Sequence, residues 1–252
     1  MNSIKNMKNN IKKIKYDTNL FNFQKIVYEH FKKHSSIDKE ISDVHKKMHF
    51  DYNSLHNVKN IKVPIYDLKM NYFDVKKDQK NKFVTYFYKI DKIFDHDKMM
   101  LSNGKFYNIY LDLLRHLQKT FFKEEIIVQS KPTLRVHIPD NISVGSYHKD
   151  SDYGHPEEEI NIWLPFNKSM NTSALWLESE PGKKNFKPQN MDYGEILIFN
   201  SKLTHGTEIN KEDHSRLSMD FRIIKKKNFK NKSTLSPKNN IKFKLGGYFR
   251  EL

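Results

Sequence analysis

The pattern of this 252-residue chain changes near residue 130: apolar residues recur at helical spacing before it and fall in short runs between turns after it. Leu20, Phe21, Phe23, Ile26, Val27 and Phe31 predict a first amphipathic helix. Ile41, Val44 and Met48 predict a weaker second one within 37–49. Val63-Pro64-Ile65 reads as extended, residues 83–94 are rich in apolar side chains, and Phe106, Ile109, Tyr110, Leu113, Leu114, Leu117 and Phe121 form the strongest helical stripe. Strands are predicted at Thr133–Ile138, Val144–His148, Ile160–Phe166, Ala174–Glu178, Glu195–Phe199 and Arg216–Ile224. Pro139-Asp140-Asn141, Asn171-Thr172-Ser173, Pro181-Gly182 and Tyr193-Gly194 supply the breaks between them. Helices followed by many short strands restrict the chain to an α+β fold, a jelly-roll or cupin-like barrel braced by N-terminal helices, with the long stripe on the back of a sheet.

This reading divides the chain into a basic, weakly ordered lead-in at 1–18 and a single domain at 19–252. The domain comprises a helical part at 19–130, a barrel core at 131–224 and a basic C-terminal extension at 225–252. Gly246-Gly247-Tyr248-Phe249 offers a segment of that extension that can dock. No internal repeat is seen.

Composition narrows the chemistry. There is no cysteine, so thiolate ligands and disulfides are excluded and any metal must be held by His, Asp or Glu. With 18 Phe and 13 Tyr, much of the core must be aromatic. The net charge of +15 is concentrated at the ends, with five lysines in the first 15 residues and eight from Lys225 to Lys244. No nucleic-acid motif accompanies it, so the lysines read as solvated surface and nucleic acid is not expected as a partner. The same positive field can steer an anionic small substrate. The charged start and the absence of a long apolar run predict a cytoplasmic protein with no membrane span.

The chemistry concentrates in four residues. His148 and Asp150 stand two apart in Ser146-Tyr147-His148-Lys149-Asp150, His205 follows in Leu203-Thr204-His205-Gly206, and Arg216 comes 11 residues later. On a strand, residues i and i+2 share a side, so His148 and Asp150 project together. Lys149 then faces away, or toward substrate if the strand ends there. The buried-strand pattern Gly194–Asn200 leads directly to His205. Two imidazoles and a carboxylate occupy one face of an octahedral metal and leave the other open for cosubstrate and oxygen, the requirement of a non-haem iron(II) oxygenase. A buried arginine fork can hold the far carboxylate of a diacid. A lone His-x-Asp usually means surface polarity, so the inference rests on the four together. Of the remaining histidines in this half of the chain, His155 is read as lid or surface, His214 as exposed, and His137 as a core or cavity residue. His116 is read as a structural residue of the long helix.

At these residues the chain resembles the iron(II)- and 2-oxoglutarate-dependent oxygenases, in particular the phytanoyl-CoA-hydroxylase-like branch and its relatives in antibiotic and surface-carbohydrate biosynthesis clusters. The resemblance runs from about Leu134 to Ile224 and is carried by Tyr147–Asp150, Glu159–Pro165, Gly194–Asn200, His205-Gly206 and Arg216–Arg222. It implies a double-stranded β-helix with iron(II) on His148, Asp150 and His205, and 2-oxoglutarate and O2 as cosubstrates. It also implies that the distal carboxylate of 2-oxoglutarate pairs with Arg216 and Ser218. Arg222 is a rival anchor, an even number of residues from Arg216, and its other reading is a salt bridge at the barrel end. Asn161 and Trp163 share a strand face and are candidates for the cosubstrate pocket. Arg135, His137, Tyr147, Lys149 and Arg222 are candidates to meet substrate. Halogenases of this kind replace the carboxylate ligand with a small residue, so Asp150 argues for hydroxylation or another oxidation.

The expected reaction oxidises a C–H bond of a polar small molecule, with release of succinate and CO2. A sugar or nucleotide-linked sugar of surface-carbohydrate biosynthesis is the first expectation, and an amino acid or small metabolite the second. Three rivals share parts of the pattern. A cupin-like isomerase or metal-binding barrel would use the same ligands without Arg216. A zinc hydrolase would need no 2-oxoglutarate. A nucleic-acid-binding protein would use the lysine-rich ends.

Overall fold

Alternation along one strand organises the molecule. In a computed structural model, which describes residues 11–35, 40–43, 104–139, 147–230 and 242–252, β9 (Arg216–Lys225) is the longest strand and nearly every residue of it is buried. Its odd-numbered residues Leu217, Met219, Phe221 and Ile223 are apolar, and its even-numbered residues Arg216, Ser218, Asp220 and Arg222 are polar. Successive side chains of a strand point to opposite faces, so one strand separates an apolar layer from a polar cavity.

The other strands follow that division. β1 (Ile11–Lys15), β7 (Glu195–Asn200), β4 (Ile160–Pro165), β9, β2 (Ile126–Gln129) and β10 (Phe249–Glu251) pair in that order, and β3 (Thr133–His137) pairs with the first half of β9. Their pairings are all antiparallel. A second antiparallel sheet contains β6 (Lys187–Gln189), β5 (Leu175–Leu177) and β8 (His205–Gly206). Trp163, Leu197 and Phe199 from the inner face of the large sheet join Leu175 and Leu177 of the small one in one apolar cluster.

The outer face of the large sheet shares a larger cluster with two helices, α1 (Phe23–Ser35) and α2 (Lys105–Leu117). Phe106, Tyr110, Leu113, Leu114 and Leu117 of α2 are buried, and Tyr110 meets Phe221 edge to face at 5.1 Å between ring centroids. The helical spacing predicted for Phe106–Phe122 holds as an α-helix to Leu117, with a π turn at Gln118–Phe122 closed by Lys123 in the left-handed region at φ 54°.

Two readings are corrected. The lead-in is paired structure from residue 11, where β1 pairs with β7 through Ile11↔Phe199 and Ile14↔Ile196. These two isoleucines are an odd number apart and bury on opposite faces, so the run shows no period of two. Asp150 does not continue a strand: His148 forms an isolated bridge and a 3-10 turn begins at Asp150. The C-terminal extension docks at its 246–249 segment, as its sequence suggests: Phe249–Glu251 pairs with β2 and Phe243 and Phe249 are buried against Ile127 and Ile224. Only the 3-10 turn Ile41–Asp43 of the second predicted helix is described. The segments at 63–65, 83–94 and 144–146 lie outside the described residues. No helix among the described residues is long and apolar enough to cross a membrane.

Leu114→Ala empties a fully buried site on the outer face. It is expected to cost about 2–5 kcal/mol in chemical denaturation.

Candidate metal centre

The two sequence-distant histidines are a directly opposed backbone pair. His148 N donates to His205 O and His205 N donates to His148 O, each at 3.0 Å. This reciprocal exchange sets two facing residues side by side, and the rings lie 4.6 Å apart between centroids. Leu203 O lies 3.1 Å from His205 Nδ1. An imidazole that donates there keeps the lone pair on Nε2 for a metal.

Two polar contacts hold this bridge. Glu178, fully buried, accepts from Thr204 N at 2.7 Å and Lys184 N at 3.0 Å, so the residue before His205 is tied to the loop after β5. Burial opposes charge on Glu178, but the backbone N–H groups of Thr204 and Lys184 outweigh it and bring its pKa down to about 2. Gly206 packs flat on Tyr147: a Cβ there would stand 3.0 Å from Tyr147 Cα and from two of its side-chain atoms. Tyr147 adds a hydrogen bond from its hydroxyl to Glu208 at 2.6 Å and packs on Phe186.

Asp150 enters from a turn. Its first residues are pinned where Lys149 N donates to Asp152 Oδ2 at 3.0 Å, and Gly154 closes it at φ 83°. The carboxylate is thereby turned inward and is only 1% exposed. Its Oδ1 lies 3.8 Å from His148 Nε2 and 3.7 Å from His205 Nε2, and ligand atoms of the three residues all fall within 4.8 Å of one another. Its Oδ2 is buried without a hydrogen-bond partner. Burial alone would raise this carboxyl, but Arg222 beside it and then His205 hold it well below the usual range. Two imidazoles, an ionised carboxylate and an unsatisfied buried oxygen are a donor set that fits a divalent cation of the iron or zinc type.

A cavity opens beside this cluster. His148, His205, Asn161, Trp163, Arg135, Arg216 and Arg222 line it, together with Thr207 and Asp220. Arg216 is 1% exposed, donates to Ser173 O at 3.1 Å, Ser218 Oγ at 2.6 Å and His137 Nδ1 at 3.3 Å, and stands over the Trp163 ring at 5.6 Å. Burial, and then the Arg135 charge, pull its pKa down to about 9, so it remains a cation at neutral pH. Asn161 is buried with neither amide atom hydrogen-bonded. Arg135 Nε donates to Asp220 at 2.9 Å.

Ser218, His137, Tyr147 and Lys149 are not among the cavity-lining residues. Ser218 and His137 support Arg216, while Tyr147 and Lys149 shape the segment that carries His148. Arg222 is salt-bridged, and its partners are Asp150 and Asp220. His155 is no surface residue: it pairs with buried Glu159 at 2.9 Å and packs on Phe243. Burial raises Glu159, opposed by His155. His116 packs on Phe21, and His214 pairs with Asp213. Sequence reasoning missed Thr207, whose buried hydroxyl has no partner, and Asp220. Both stand an even number of residues from a named neighbour, Thr207 from His205 and Asp220 from Arg216, which was the available signal.

Gly206→Ala must displace Tyr147 and with it His148. A metal titration is expected to show affinity weakened about tenfold or more, with the fold retained by circular dichroism.

No family model matches the chain. The streptomycin biosynthesis protein StrG of Streptomyces griseus is 32% identical over 127 residues, which cover 50% of this chain and 60% of that protein. The chain therefore matches less than two thirds of that relative's length. Among solved structures, CytC3 with Fe(II) and alpha-ketoglutarate superposes with a TM-score of 0.47 at 11% identity, over 87% of this chain and 74% of that one. The non-heme monooxygenase ThoJ in its nickel complex gives a TM-score of 0.42 at 12% identity, over 53% of this chain and 60% of that one.

Proposed function

We propose that this chain is an iron(II)- and 2-oxoglutarate-dependent oxygenase built on a double-stranded β-helix, with the helices at its back and residues 11–252 as one catalytic unit. The observation that carries the reading is that one cavity is lined by the buried Arg216 and by His148 and His205, the two imidazoles of the His-Asp-His cluster. A cupin-like isomerase or a zinc hydrolase has use for the cluster but none for a cation of that kind.

His148, Asp150 and His205 would hold the metal, and bound iron would supply oxygen activation coupled to oxidative decarboxylation of the keto acid. Arg216 would receive the distal carboxylate of that acid, with Ser218 and His137 fixing the guanidinium plane and Trp163 forming the floor beneath it. Asn161 and Thr207 have unsatisfied polar atoms in the same cavity and would complete the hydrogen bonding of the cosubstrate or substrate. The inner apolar cluster around Leu175, Leu197 and Phe199 would keep water from the reacting centre.

The substrate in this proposal is a polar small molecule, a sugar or nucleotide-linked sugar, or otherwise an amino acid or small metabolite. The lining cation Arg135 favours an anionic group on it. The relative whose name places it in streptomycin biosynthesis supports a small-molecule biosynthetic role.

Anaerobic addition of iron(II) and then 2-oxoglutarate should produce the weak visible charge-transfer band of a chelated keto acid. Asp150→Ala should abolish or alter the band. Arg216→Ala should raise the keto acid needed by roughly 30-fold or more, the equivalent of about 2 kcal/mol for a truncated buried charge pair. Wild-type protein that gives no band, while binding another metal and acting without oxygen, would exclude the oxygenase.

A further inference from the structure

Arg222 reaches two carboxylates through separate nitrogens. Nη1 donates to Asp220 Oδ2, and Nη2 donates to Asp150 Oδ1 at 3.3 Å. Asp220 is held from its other side by Arg135 Nε at 2.9 Å. The backbone of Arg222 is fixed as well: its N–H donates to Gln129 Oε1 at 3.2 Å, and the Tyr248 hydroxyl donates to the same oxygen at 2.9 Å. The guanidinium thus has little freedom.

The Asp150 oxygen it grips is the one facing both imidazoles, at 3.8 and 3.7 Å, while Oδ2 has no partner. Rotation about the last side-chain bond of an aspartate is broad and nearly two-fold, so the choice of oxygen falls to the groups around the carboxylate, Arg222 first and Asn161 with it. A carboxylate that presents one oxygen takes one coordination position, whereas one free to present both can take two and narrow the open face.

We propose that Arg222, locked by Asp220, is a positioning residue that turns a single oxygen of Asp150, Oδ1, toward the metal. This rests on metal binding at the His148–Asp150–His205 cluster, and it sets Arg222 apart from Arg216, the cosubstrate anchor. Its effect on the reaction runs through the ligand carboxylate. A planar fork with fixed donor directions is what spanning two carboxylates requires, and a lysine ammonium on a flexible stem does not reproduce it.

The test uses the full chain and cobalt(II) without keto acid, reading affinity and the intensity of the visible d–d bands, which reports coordination number. Arg222→Gln is expected to weaken cobalt binding about 10- to 100-fold, the usual cost of losing an outer partner of a ligand, and to change band intensity. Arg222→Lys should recover only part of this. Asp220→Asn, which removes no contact to Asp150, should give a smaller loss with the same spectral trend. Unchanged affinity and spectrum in Arg222→Gln, full recovery by lysine, or tighter binding without the arginine each overturn the proposal. If Arg222→Gln does not fold, an Asp220→Asn spectrum identical to wild type overturns it. Wild-type protein that takes up no cobalt defeats the metal reading and the proposal together. Wild-type protein that binds cobalt but gives no keto-acid band with iron defeats the oxygenase alone.

Discussion

Removing a charge from water costs several kcal/mol even after relaxation, and an opposite charge beside it offsets that cost. Arg135, Asp220, Arg222 and Asp150 do this as a chain of alternating sign across the inner wall of the large sheet. The Asp150 carboxylate is the last member of the chain. Burial works against the ionised form of Asp220 as of Asp150, yet Arg135 and Arg222 hold Asp220 below the usual carboxylate range, and Arg222 with His205 holds Asp150 well below it. Asp150 in turn, with burial opposing, raises Arg222 well above the ordinary arginine value. The carboxylate is therefore ready for a cation without having to lose a proton first.

The same wall explains why β9 carries so much of the protein. Its odd-numbered side chains anchor the helices, and its even-numbered ones furnish Arg216, Ser218, Asp220 and Arg222 in one row. Asn161 stands directly opposite Arg222 on β4, and Trp163 stands opposite Asp220. A one-residue slip of this strand would turn the whole polar row into the helical layer. Register is thus fixed by both faces at once, and the cavity inherits the rigidity of the sheet.

The histidine pair has a different kind of support. His148 and His205 lie at the end of short pairings where little sheet remains, so position comes from specific contacts: the reciprocal bridge, the Glu178 carboxylate on Thr204, and the close approach of Gly206 to Tyr147. Such an arrangement trades the cooperative stability of a sheet for an edge open to ligands, which is where binding residues on loops usually sit.

What the sequence determined by itself is the ligand inventory and the alternation. Without cysteine only His, Asp and Glu could bind a metal, and the period of two along residues 216–223 separated polar from apolar faces before any partner was known. The quartet His148, Asp150, His205 and Arg216 was legible because it combined spacing with scarce residue types. The short strands at Lys187–Gln189 and His205–Gly206 were not, since two or three residues cannot display a period. Nor was the strand at Ile11–Lys15, whose isoleucines bury on opposite faces. Only the tertiary structure decided that Asp150 enters from a turn, that Arg222 grips it, and that Asp220 stands between two arginines. Those partners come from β3, from β9 and from the turn after His148. Pairing between them is settled by the need to neutralise buried charge in three dimensions, which no local spacing encodes.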